Sequence, residues 1–554
     1  MTNCCAHMKT DGFRRYVPLA FTIIVALQVI VLICAASLKV DLHIDEVYSY
    51  VISNSAEADR FSNVPGLQNQ WVSGSDFDKV TTVQDGDQLD FAAAYNNTST
   101  DCHPPMYYWT LHAVCSLFPG LFSKWTGIGL NIVLFIACQV LMYLISKKLI
   151  RNDLLTLVPS LLYGFTALCV GNVEFIRMYV LLAALCMLYV YQSLLIVERG
   201  VRPSTVLPCC VTVFVGAMTQ YYFLFFVFWM ALIYGIWLLS HKRVRDALIY
   251  GLFHIVAVAG MLLVFPFAIT QATGSSTNNV GNEVSQSMFD LGLWKHQIVS
   301  LFKETLHGIS YAPHVWKAAA VVAFALVLVS LVAAVAGKKR GGSSDADSAV
   351  NAKNGLAAAW LFAAFVLTFL TVSKVGGNYV YVRYIYFVVP VVFICFGAGI
   401  DSGSRSLPQL VPVTLAIGVV FGLVSGGYTA LKGDESFTFA DSAAKVDAAK
   451  EYKDVPLVVL LANSPTTVLT SNYALIRTFD SVYAAPAQNV LDGDAVQSAL
   501  DESGKCIVFI PTVSGWTDGL DVGQTLETLK STTGCDDPQY LFDFYFGGYY
   551  LLSN

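Results

Sequence analysis

A pair of adjacent carboxylates, Asp45 and Glu46, follows the first long apolar run of the chain, in the stretch HIDEVYSY at 43–50. Exposed Asp-Glu pairs are usually solvated surface groups. Asp45, however, falls within about two helical turns of the predicted membrane edge, where a charged carboxylate is costly to desolvate. That position supports a functional role, and both interpretations, a functional carboxylate and a solvated surface pair, stay open at this point.

A second cluster closes the same loop, in the stretch DCHPPMYYW at 101–109. Two interpretations of His103 stay open: an ordinary residue before a proline-initiated helix, or a proton shuttle or metal ligand. Asp101 precedes it by two positions, and Tyr107 follows the two prolines. The cluster therefore brings acid, imidazole and phenol groups to the end of one loop.

A third cluster, NVEFIRMY at 172–179, lies at a junction between two apolar runs. Glu174 and Arg177 are spaced i, i+3 and are compatible with an ion pair on one helix. At headgroup depth, an arginine fork also suits a lipid phosphate. Tyr221 and Arg383 mark two later junctions of the same kind, where Arg383 is equally compatible with a snorkelling anchor.

The elements that position these residues are predicted from composition. Of 554 residues, 55% are hydrophobic and 13% are charged, and the mean hydropathy is +0.58. A soluble domain carries about 25% charged residues, so an ordinary soluble enzyme is excluded. The apolar residues form eleven runs long enough to span a bilayer, near 17–38, 127–146, 154–172, 178–197, 205–221, 222–240, 247–270, 318–336, 356–373, 384–400 and 407–427.

A twelfth apolar stretch, 104–120, is too short to span comfortably and opens with two prolines. If it lies on the membrane surface, 16 of the 33 basic residues fall in short segments on one face, which the positive-inside rule assigns to the cytoplasm. We therefore predict an interfacial helix there, with Tyr107, Tyr108 and Trp109 at headgroup depth. The N-terminus is then cytoplasmic.

This topology predicts a transmembrane domain over 1–427, with large outer loops at 39–126 and 271–317, and an extracytoplasmic α/β domain over 428–554. The tail alternates predicted helices and strands: helices at 438–452, 494–502 and 524–533, and strands at 455–461, 473–479, 506–510 and 541–546. The net charge of −6 gives no reason to expect a nucleic-acid partner.

Taken together, the acidic pair, the HPPMYYW stretch, the E-x-x-R-M-Y junction and the R-Y opening of a late span resemble the GT-C membrane glycosyltransferases, specifically the glycosyltransferase family 39 type. That family includes protein O-mannosyltransferases and aminoarabinose transferases. The resemblance covers about residues 15–400. It implies an inverting hexosyl or pentosyl transferase that uses a polyprenyl-phosphate-linked sugar on the outer side of the membrane.

The resemblance also implies roles for individual residues. Asp45 would be the general base, and Glu46 would assist it through positioning or metal contact. Arg177, and secondarily Arg383, would bind the donor phosphate. A divalent metal, with Glu46 and His103 as ligands, remains an open expectation. The supporting residues are Asp101, His103, Tyr107, Glu174, Tyr179 and Tyr221.

Two other functions remain open from the sequence. A transporter or flippase for lipid-linked sugars usually places ionisable groups near the bilayer midplane, whereas the charges here gather at the outer ends. A non-catalytic envelope assembly protein would not need the clustered acids and Arg177. The acceptor is expected to be a glycan, a glycolipid or a protein, membrane lipids are expected to surround the spans, and the host membrane is expected to be a bacterial plasma membrane.

Overall fold

The membrane part of the fold is built from long apolar helices. The computed structural model describes residues 15–56, 66–273, 290–339, 345–375, 381–434, 439–462, 465–513 and 519–554. Nine helices in these ranges are long and apolar enough to cross a membrane: Val17–Leu38, Lys124–Leu149, Tyr179–Arg199, Tyr222–Ser240, Val244–Val264, Val315–Ala336, Ala352–Val375, Val382–Ser404 and Leu410–Lys432. The expected polytopic helical fold is confirmed.

The expected number of eleven spans is not confirmed, although each predicted run coincides with helix. Leu155–Tyr163 and Ala167–Glu174 meet at 57° and make a tenth crossing if they are counted as one span. Pro203–Ala217 has only 15 residues. A helix of that length reaches about 22 Å, less than the roughly 30 Å of a hydrocarbon core.

The bend between Leu155–Tyr163 and Ala167–Glu174 is filled by a polar side chain from the first span. Gln28 Nε2 donates to the Ser160 carbonyl at 2.8 Å. A Cβ at Gly164 would lie 2.2 Å from the Gln28 side chain, so only glycine permits this approach. A buried amide at the break thus ties the first span to the bent one.

Between Val17–Leu38 and Lys124–Leu149 runs the first long loop, residues 39–123. Its helices are Ile44–Asn54, Asp78–Thr81, Phe91–Ser99 and Met106–Cys115, with a 3-10 turn at Gly74–Phe77. The helix expected within 104–120 is therefore present and has ten residues. Tyr107 and Tyr108 are fully buried where this helix packs on its neighbours, and their expected headgroup depth stays a prediction.

The described residues of 439–554, the C-terminal unit, contribute five strands to a six-stranded sheet, which confirms the expected small C-terminal α/β fold. The strands are β1 Trp71–Val72, β2 Leu457–Leu461, β3 Val482–Pro486, β4 Lys505–Pro511, β5 Gln539–Phe544 and β6 Gly547–Ser553. Their order is β1-β3-β2-β4-β6-β5. β3, β2 and β4 pair in parallel, and every residue of the central β2 is buried, as expected when helices cover both faces.

Several predictions for the tail are confirmed, and one is wrong. The helices Ala440–Ala449, Ala495–Ser503 and Val522–Thr533 match the expected ones. The stretch 473–479, predicted as a strand, instead begins with the helix Tyr473–Ile476. A short apolar run carries no period that distinguishes the two states, and here Leu475 and Ile476 are both buried in a core against the sheet.

Five further helices lie in the described ranges: Phe267–Thr273, Leu291–His307, Gly427–Lys432, Pro465–Ser471 and Ala487–Leu491. Gly427–Lys432 continues the final span. The second large loop expected at 271–317 contains Leu291–His307, whereas its residues 274–289 lie outside the described ranges.

The first long loop and the C-terminal unit share one hydrophobic core. β1 comes from the loop and pairs antiparallel with β3 of the C-terminal unit. Val47 and Val51 of the helix Ile44–Asn54 are buried in the same cluster as Leu475 and Phe509. The helix that carries Asp45 is therefore packed against the C-terminal unit as well as against the spans.

A charged contact closes this shared surface. Arg477 donates to Asp78 from Nε at 2.5 Å and from Nη2 at 2.7 Å, and the Tyr473 hydroxyl donates to Asp78 at 2.6 Å. Three donors on one half-buried carboxylate form a strong charge-assisted contact. Asp78 thus fixes the loop to the C-terminal unit at the side of the sheet that faces the membrane helices.

We predict that Asp78→Ala loosens the contact between loop and C-terminal unit. Losing the acceptor of hydrogen bonds from a charged group costs about 2 kcal/mol. The expected result is faster cleavage of the folded protein by added protease in the segment 66–82. Asp447→Ala is the control, because its ion pair with Lys450 is exposed and contributes little. Equal protection of both variants would contradict the prediction.

Candidate active site

The helix Ile44–Asn54 positions the acidic pair through its own N-terminal cap. His43 is the N-cap residue, and its Nδ1 accepts from the Asp45 backbone N at 3.1 Å. Glu46 completes a capping box by accepting from the His43 backbone N at 2.7 Å. Asp45 therefore sits in the first turn, where the helix dipole favours a negative charge.

Glu46 is held in a fully buried ion pair with Lys39. Lys39 Nζ lies 2.6 Å and 2.7 Å from the two carboxylate oxygens, and both side chains have zero exposure. Glu46 Oε1 also accepts from the Ile176 backbone N at 2.8 Å, while Lys39 Nζ donates to the Glu174 carbonyl at 3.0 Å. The pair thus joins the first loop to the junction that carries Arg177.

Arg177 lies between the helices Ala167–Glu174 and Tyr179–Arg199 and points at the loop. Its Nη1 donates to the Asp45 carbonyl and the Tyr108 hydroxyl, each at 3.2 Å, and to Ser49 Oγ at 3.4 Å. Its Nη2 lies 3.5 Å from His103 Nδ1. Its Nε is buried and has no partner among the described residues. One arginine therefore joins the three sequence clusters.

Arg383 approaches the same carboxylate from a late span. Its Nη1 lies 3.1 Å from Asp45 Oδ2. The guanidinium also lies over the rings of Tyr381 at 4.6 Å, Phe175 at 5.5 Å and Tyr384 at 5.6 Å. Like that of Arg177, its Nε is buried without a partner in the described part of the chain. Aromatic faces thus hold the second guanidinium beside Asp45.

The charges around Asp45 decide its protonation. Burial alone would raise the pKa of its carboxyl, but the guanidiniums of Arg177 and Arg383 outweigh burial and hold the pKa below its ordinary value. His43 is affected in the other direction, because burial lowers the pKa of its imidazole. Its Nδ1 acts as a hydrogen-bond acceptor, as a neutral ring allows. Asp45 is therefore ionised at neutral pH.

His103 forms the second polar wall of the site. Its Nδ1 lies 3.2 Å from Asp101 Oδ2 and 3.1 Å from Cys102 Sγ, and Tyr108 donates to the same Asp101 oxygen at 3.1 Å. Burial disfavours the imidazolium, but the neighbouring Cys102 and Asp101 side chains outweigh it and raise the pKa of His103 to about 9. The site thus carries a third positive charge near Arg177.

Two predicted supporting residues contact this cluster at its edges. Tyr179 stacks on Phe175 with ring centroids 6.1 Å apart and lies 6.5 Å from the Tyr384 ring. The Tyr221 hydroxyl donates to Gln271 Oε1 at 2.6 Å. Tyr179 therefore belongs to the aromatic wall behind Arg383, whereas the hydroxyl of Tyr221 is engaged elsewhere.

Tyr107 and Glu174 are placed away from the reacting groups. Tyr107 is fully buried behind Tyr108, with ring centroids 6.1 Å apart. The Glu174 side chain is fully buried and forms no ion pair with Arg177 in the described structure. The i, i+3 expectation fails because the helix ends at Glu174, so the two residues do not share a helical face.

The expected metal ligands, Glu46 and His103, do not come together as a cation site. Both oxygens of Glu46 are engaged by Lys39 and by backbone N–H groups. In the described ranges, Asp101, Cys102 and His103 offer ligand atoms within 4.8 Å of one another, a donor set of the kind Zn²⁺ accepts. Arg177 lies 3.5 Å from His103, and its charge opposes a cation there. A catalytic metal on Glu46 therefore does not fit.

Four contact residues were not singled out as site residues from the sequence: Lys39, His43, Ser49 and Tyr108. Lys39 carried a partial signal, because a lysine one residue beyond an apolar span favours an acidic partner nearby, but its spacing did not identify Glu46 as that partner. The roles of Ser49 and Tyr108 depend on where Arg177 points, which no local pattern encodes.

No protein-family description matches this sequence, and no curated protein matches it either. Among solved structures, the chain is similar to ArnT from Cupriavidus metallidurans bound to undecaprenyl phosphate, with 11% identity, a TM-score of 0.48, and coverage of 96% of this chain and 97% of that one. The apo state of that protein gives 10% identity, a TM-score of 0.46, and coverage of 91% and 96%.

A third similarity is to the archaeal oligosaccharyltransferase AglB from Archaeoglobus fulgidus, in complex with an inhibitory peptide and a dolichol-phosphate. It has 9% identity and a TM-score of 0.40, and it covers 90% of this chain and 70% of that one.

We predict that Lys39→Met destabilises the folded protein, because it leaves Glu46 buried without a countercharge. Breaking a buried ion pair on one side costs about 3–5 kcal/mol. The expected result is a marked fall in the unfolding temperature of the purified protein in lipid nanodiscs. Lys79→Met is the matched control, since its pair with Asp76 is largely exposed. Similar unfolding temperatures for both variants would rule out the structural role of the pair.

Proposed function

We propose that this chain is an inverting glycosyltransferase that moves a hexosyl or pentosyl group from a polyprenyl-phosphate carrier to an acceptor. The observation that supports this best is the position of Asp45 between two guanidiniums at the ends of apolar helices: Arg383 contacts its ionised carboxylate, and Arg177 donates to its backbone carbonyl. A phosphate-linked sugar carries its own leaving group, so transfer needs only a base and a phosphate clamp.

The positive charge of the site fits a phosphate. Two guanidiniums, those of Arg177 and Arg383, lie beside the single carboxylate of Asp45. The Nε groups of both arginines are buried without a partner in the described structure, and such donors are rare unless a ligand or water satisfies them. A phosphate with several acceptor oxygens would pair with both guanidiniums.

In the proposed reaction, the acceptor hydroxyl oxygen attacks the anomeric carbon while Asp45 takes its proton. The bond between the anomeric carbon and the phosphate oxygen breaks, and the phosphate leaves with the electron pair. Arg177 and Arg383 stabilise the charge that develops on that oxygen. Because attack is opposite to the leaving group, the anomeric configuration inverts.

Arg383 would serve two partners in turn. It pairs with Asp45 at 3.1 Å in this structure, and a bound donor phosphate would compete for the same guanidinium. When Arg383 turns to the phosphate, Asp45 loses a stabilising charge and becomes a stronger base. Donor binding would therefore prepare the carboxylate for proton removal, which limits reaction of the donor before it is correctly bound.

We further propose that the site opens on the extracytoplasmic side of a bacterial plasma membrane, with the N-terminus in the cytoplasm. The basic residues clustered in short segments on the opposite face support this orientation. The acceptor would be a glycan, a glycolipid or a protein that reaches the first long loop.

We predict that Asp45→Asn abolishes transfer, with a loss of about 10²–10⁴-fold, the usual contribution of a general base. Purified protein is given polyprenyl-phosphate-linked pentoses and hexoses with membrane extracts as the acceptor source, and products are read by mass spectrometry. Asp85→Asn is the control, because this acid of the same loop is exposed. Full activity of the Asp45 variant would overturn the assignment of the base.

The same assay separates the alternatives. A transferase releases free polyprenyl phosphate only when it turns over the donor, whereas a flippase moves the intact donor and releases none. A non-catalytic assembly protein would release no polyprenyl phosphate, whether position 45 carries Asp or Asn.

The pH dependence gives an independent prediction. Arg383 helps to hold the pKa of Asp45 low, so Arg383→Gln should raise that pKa and move the acid limb of kcat/KM for the donor to higher pH. Weaker phosphate binding would also lower the rate, but a lower rate alone does not move the acid limb along the pH axis. Arg245→Gln is the control at an exposed site. An unchanged limb would contradict the contact between Arg383 and the base.

A further inference from the structure

A cavity of about 200 Å³ lies at the contact between the membrane helices and the C-terminal unit. One side is formed by the segment that leaves the first span and by the start of the helix Lys124–Leu149. The other side is formed by Tyr473, Ala474 and Arg477 of the C-terminal unit. The proposed mechanism uses none of its lining residues.

The cavity is lined in part by charged side chains, and their charges are balanced. Asp41 contributes a carboxylate, while Lys124 and Arg477 contribute cations. Arg477 is compensated by Asp78, with which it makes two hydrogen bonds. Lys124 donates only to the carbonyls of Ala36 and Lys39 and has no acidic hydrogen-bond partner in the described structure. Counting Asp78, the acids and cations are therefore equal in number.

Apolar side chains line the cavity beside these charged ones. They are Leu42, Phe122 and Ala474, and the Phe122 ring lies in an edge contact with Tyr473 at 5.0 Å. The Arg477 guanidinium lies 4.7 Å from the Phe122 ring centroid. The cavity lining thus mixes apolar surface with hydrogen-bond donors and acceptors.

These properties select one class of ligand. With acids and cations equal in number, the lining favours neither an anion nor a cation. A neutral sugar ring has apolar C–H groups and hydroxyls that donate and accept, which matches a lining that mixes apolar and charged side chains. The volume is below the roughly 300–1,000 Å³ of sites for drug-sized ligands and suits a single ring.

The position of the cavity relates it to the site. Asp41 lies four residues before Asp45 on the same segment, and Lys124 donates to the carbonyl of Lys39, whose side chain holds Glu46. Both halves of the molecule are needed to form the cavity, since neither the spans nor the C-terminal unit lines it alone. A ring bound there would lie at the same end of the membrane helices as Asp45.

We propose that this cavity is a subsite for a neutral sugar unit of the acceptor, so that the acceptor is a glycan or carries one. The proposal rests on the proposed transferase function for its biological meaning, while sugar binding itself is independent of it. It also gives the C-terminal unit a defined role as one half of an acceptor-binding site.

The test uses the full-length protein in lipid nanodiscs, which avoids sugar-based detergents. Saturation-transfer NMR measures binding of methyl α-mannopyranoside, methyl β-galactopyranoside and methyl β-N-acetylglucosaminide, with glucuronate and inorganic phosphate as anionic probes. We expect at least one neutral glycoside to bind and neither anion to compete. Competition by phosphate, or binding of none of the glycosides, would overturn the proposal.

Two variants place the binding in the cavity. Ala474→Trp fills it and should weaken glycoside binding at least tenfold, whereas Ala444→Trp, at an exposed alanine of the same unit, should leave it unchanged. Asp41→Asn removes one charge with little change of shape and should weaken binding several-fold. If both Ala474→Trp and Asp41→Asn bind the glycoside as the unsubstituted protein does, the sugar binds outside this cavity.

Asp45→Asn separates this proposal from the transferase proposal. It should bind the glycoside as the unsubstituted protein does while losing transfer. If Asp45→Asn retains transfer while the cavity variants lose glycoside binding, only the assignment of Asp45 as the base is overturned. Loss of transfer in that variant, combined with full binding by Ala474→Trp, would overturn only the cavity.

Discussion

The buried ion pair of Lys39 and Glu46 is the contact on which the arrangement of the candidate site depends. Two opposite charges without solvent contact are costly to bury, and the cost is offset only when further hydrogen bonds satisfy them. Here the additional partners are the backbone of His43, Glu174 and Ile176. Asp45 lies two residues after His43, and Arg177 directly follows Ile176. The pair therefore sets the distance between Asp45 and Arg177.

The C-terminal unit acts on the same helix from the opposite direction. Val47 and Val51 are packed into the core of that unit, while Glu46, on another face of the helix, is held by the spans. A helix fixed on two faces has little freedom to rotate, so the direction of Asp45 is determined by packing on both sides. This arrangement explains why strand β1 of the first long loop joins a sheet otherwise formed by residues after 456.

Much of this arrangement was predictable from local patterns. The apolar runs predicted the spans, and the chemical types at positions 45, 103, 177 and 383 predicted one polar cluster at the helix ends. Spacing could not predict the partner of Glu46, because Lys39 reaches it only when the chain between them turns. The expected Glu174–Arg177 pair failed for the same reason: the helix ends between the two residues. Local pattern thus found the participants, and tertiary contacts determined their pairing.

The strand predicted at 473–479 shows the same limit and has a functional consequence. As a helix, this segment turns Tyr473 and Arg477 toward Asp78 and leaves Ala474 facing the cavity. In a strand, Tyr473 and Arg477 would also share a face, but they would lie about 13 Å apart, too far to bond the same carboxylate. The helical segment brings them within about one turn of each other, so it joins the loop to the C-terminal unit and lines the cavity as well. The docking of the C-terminal unit and the shape of the proposed acceptor subsite therefore both depend on the short helix Tyr473–Ile476.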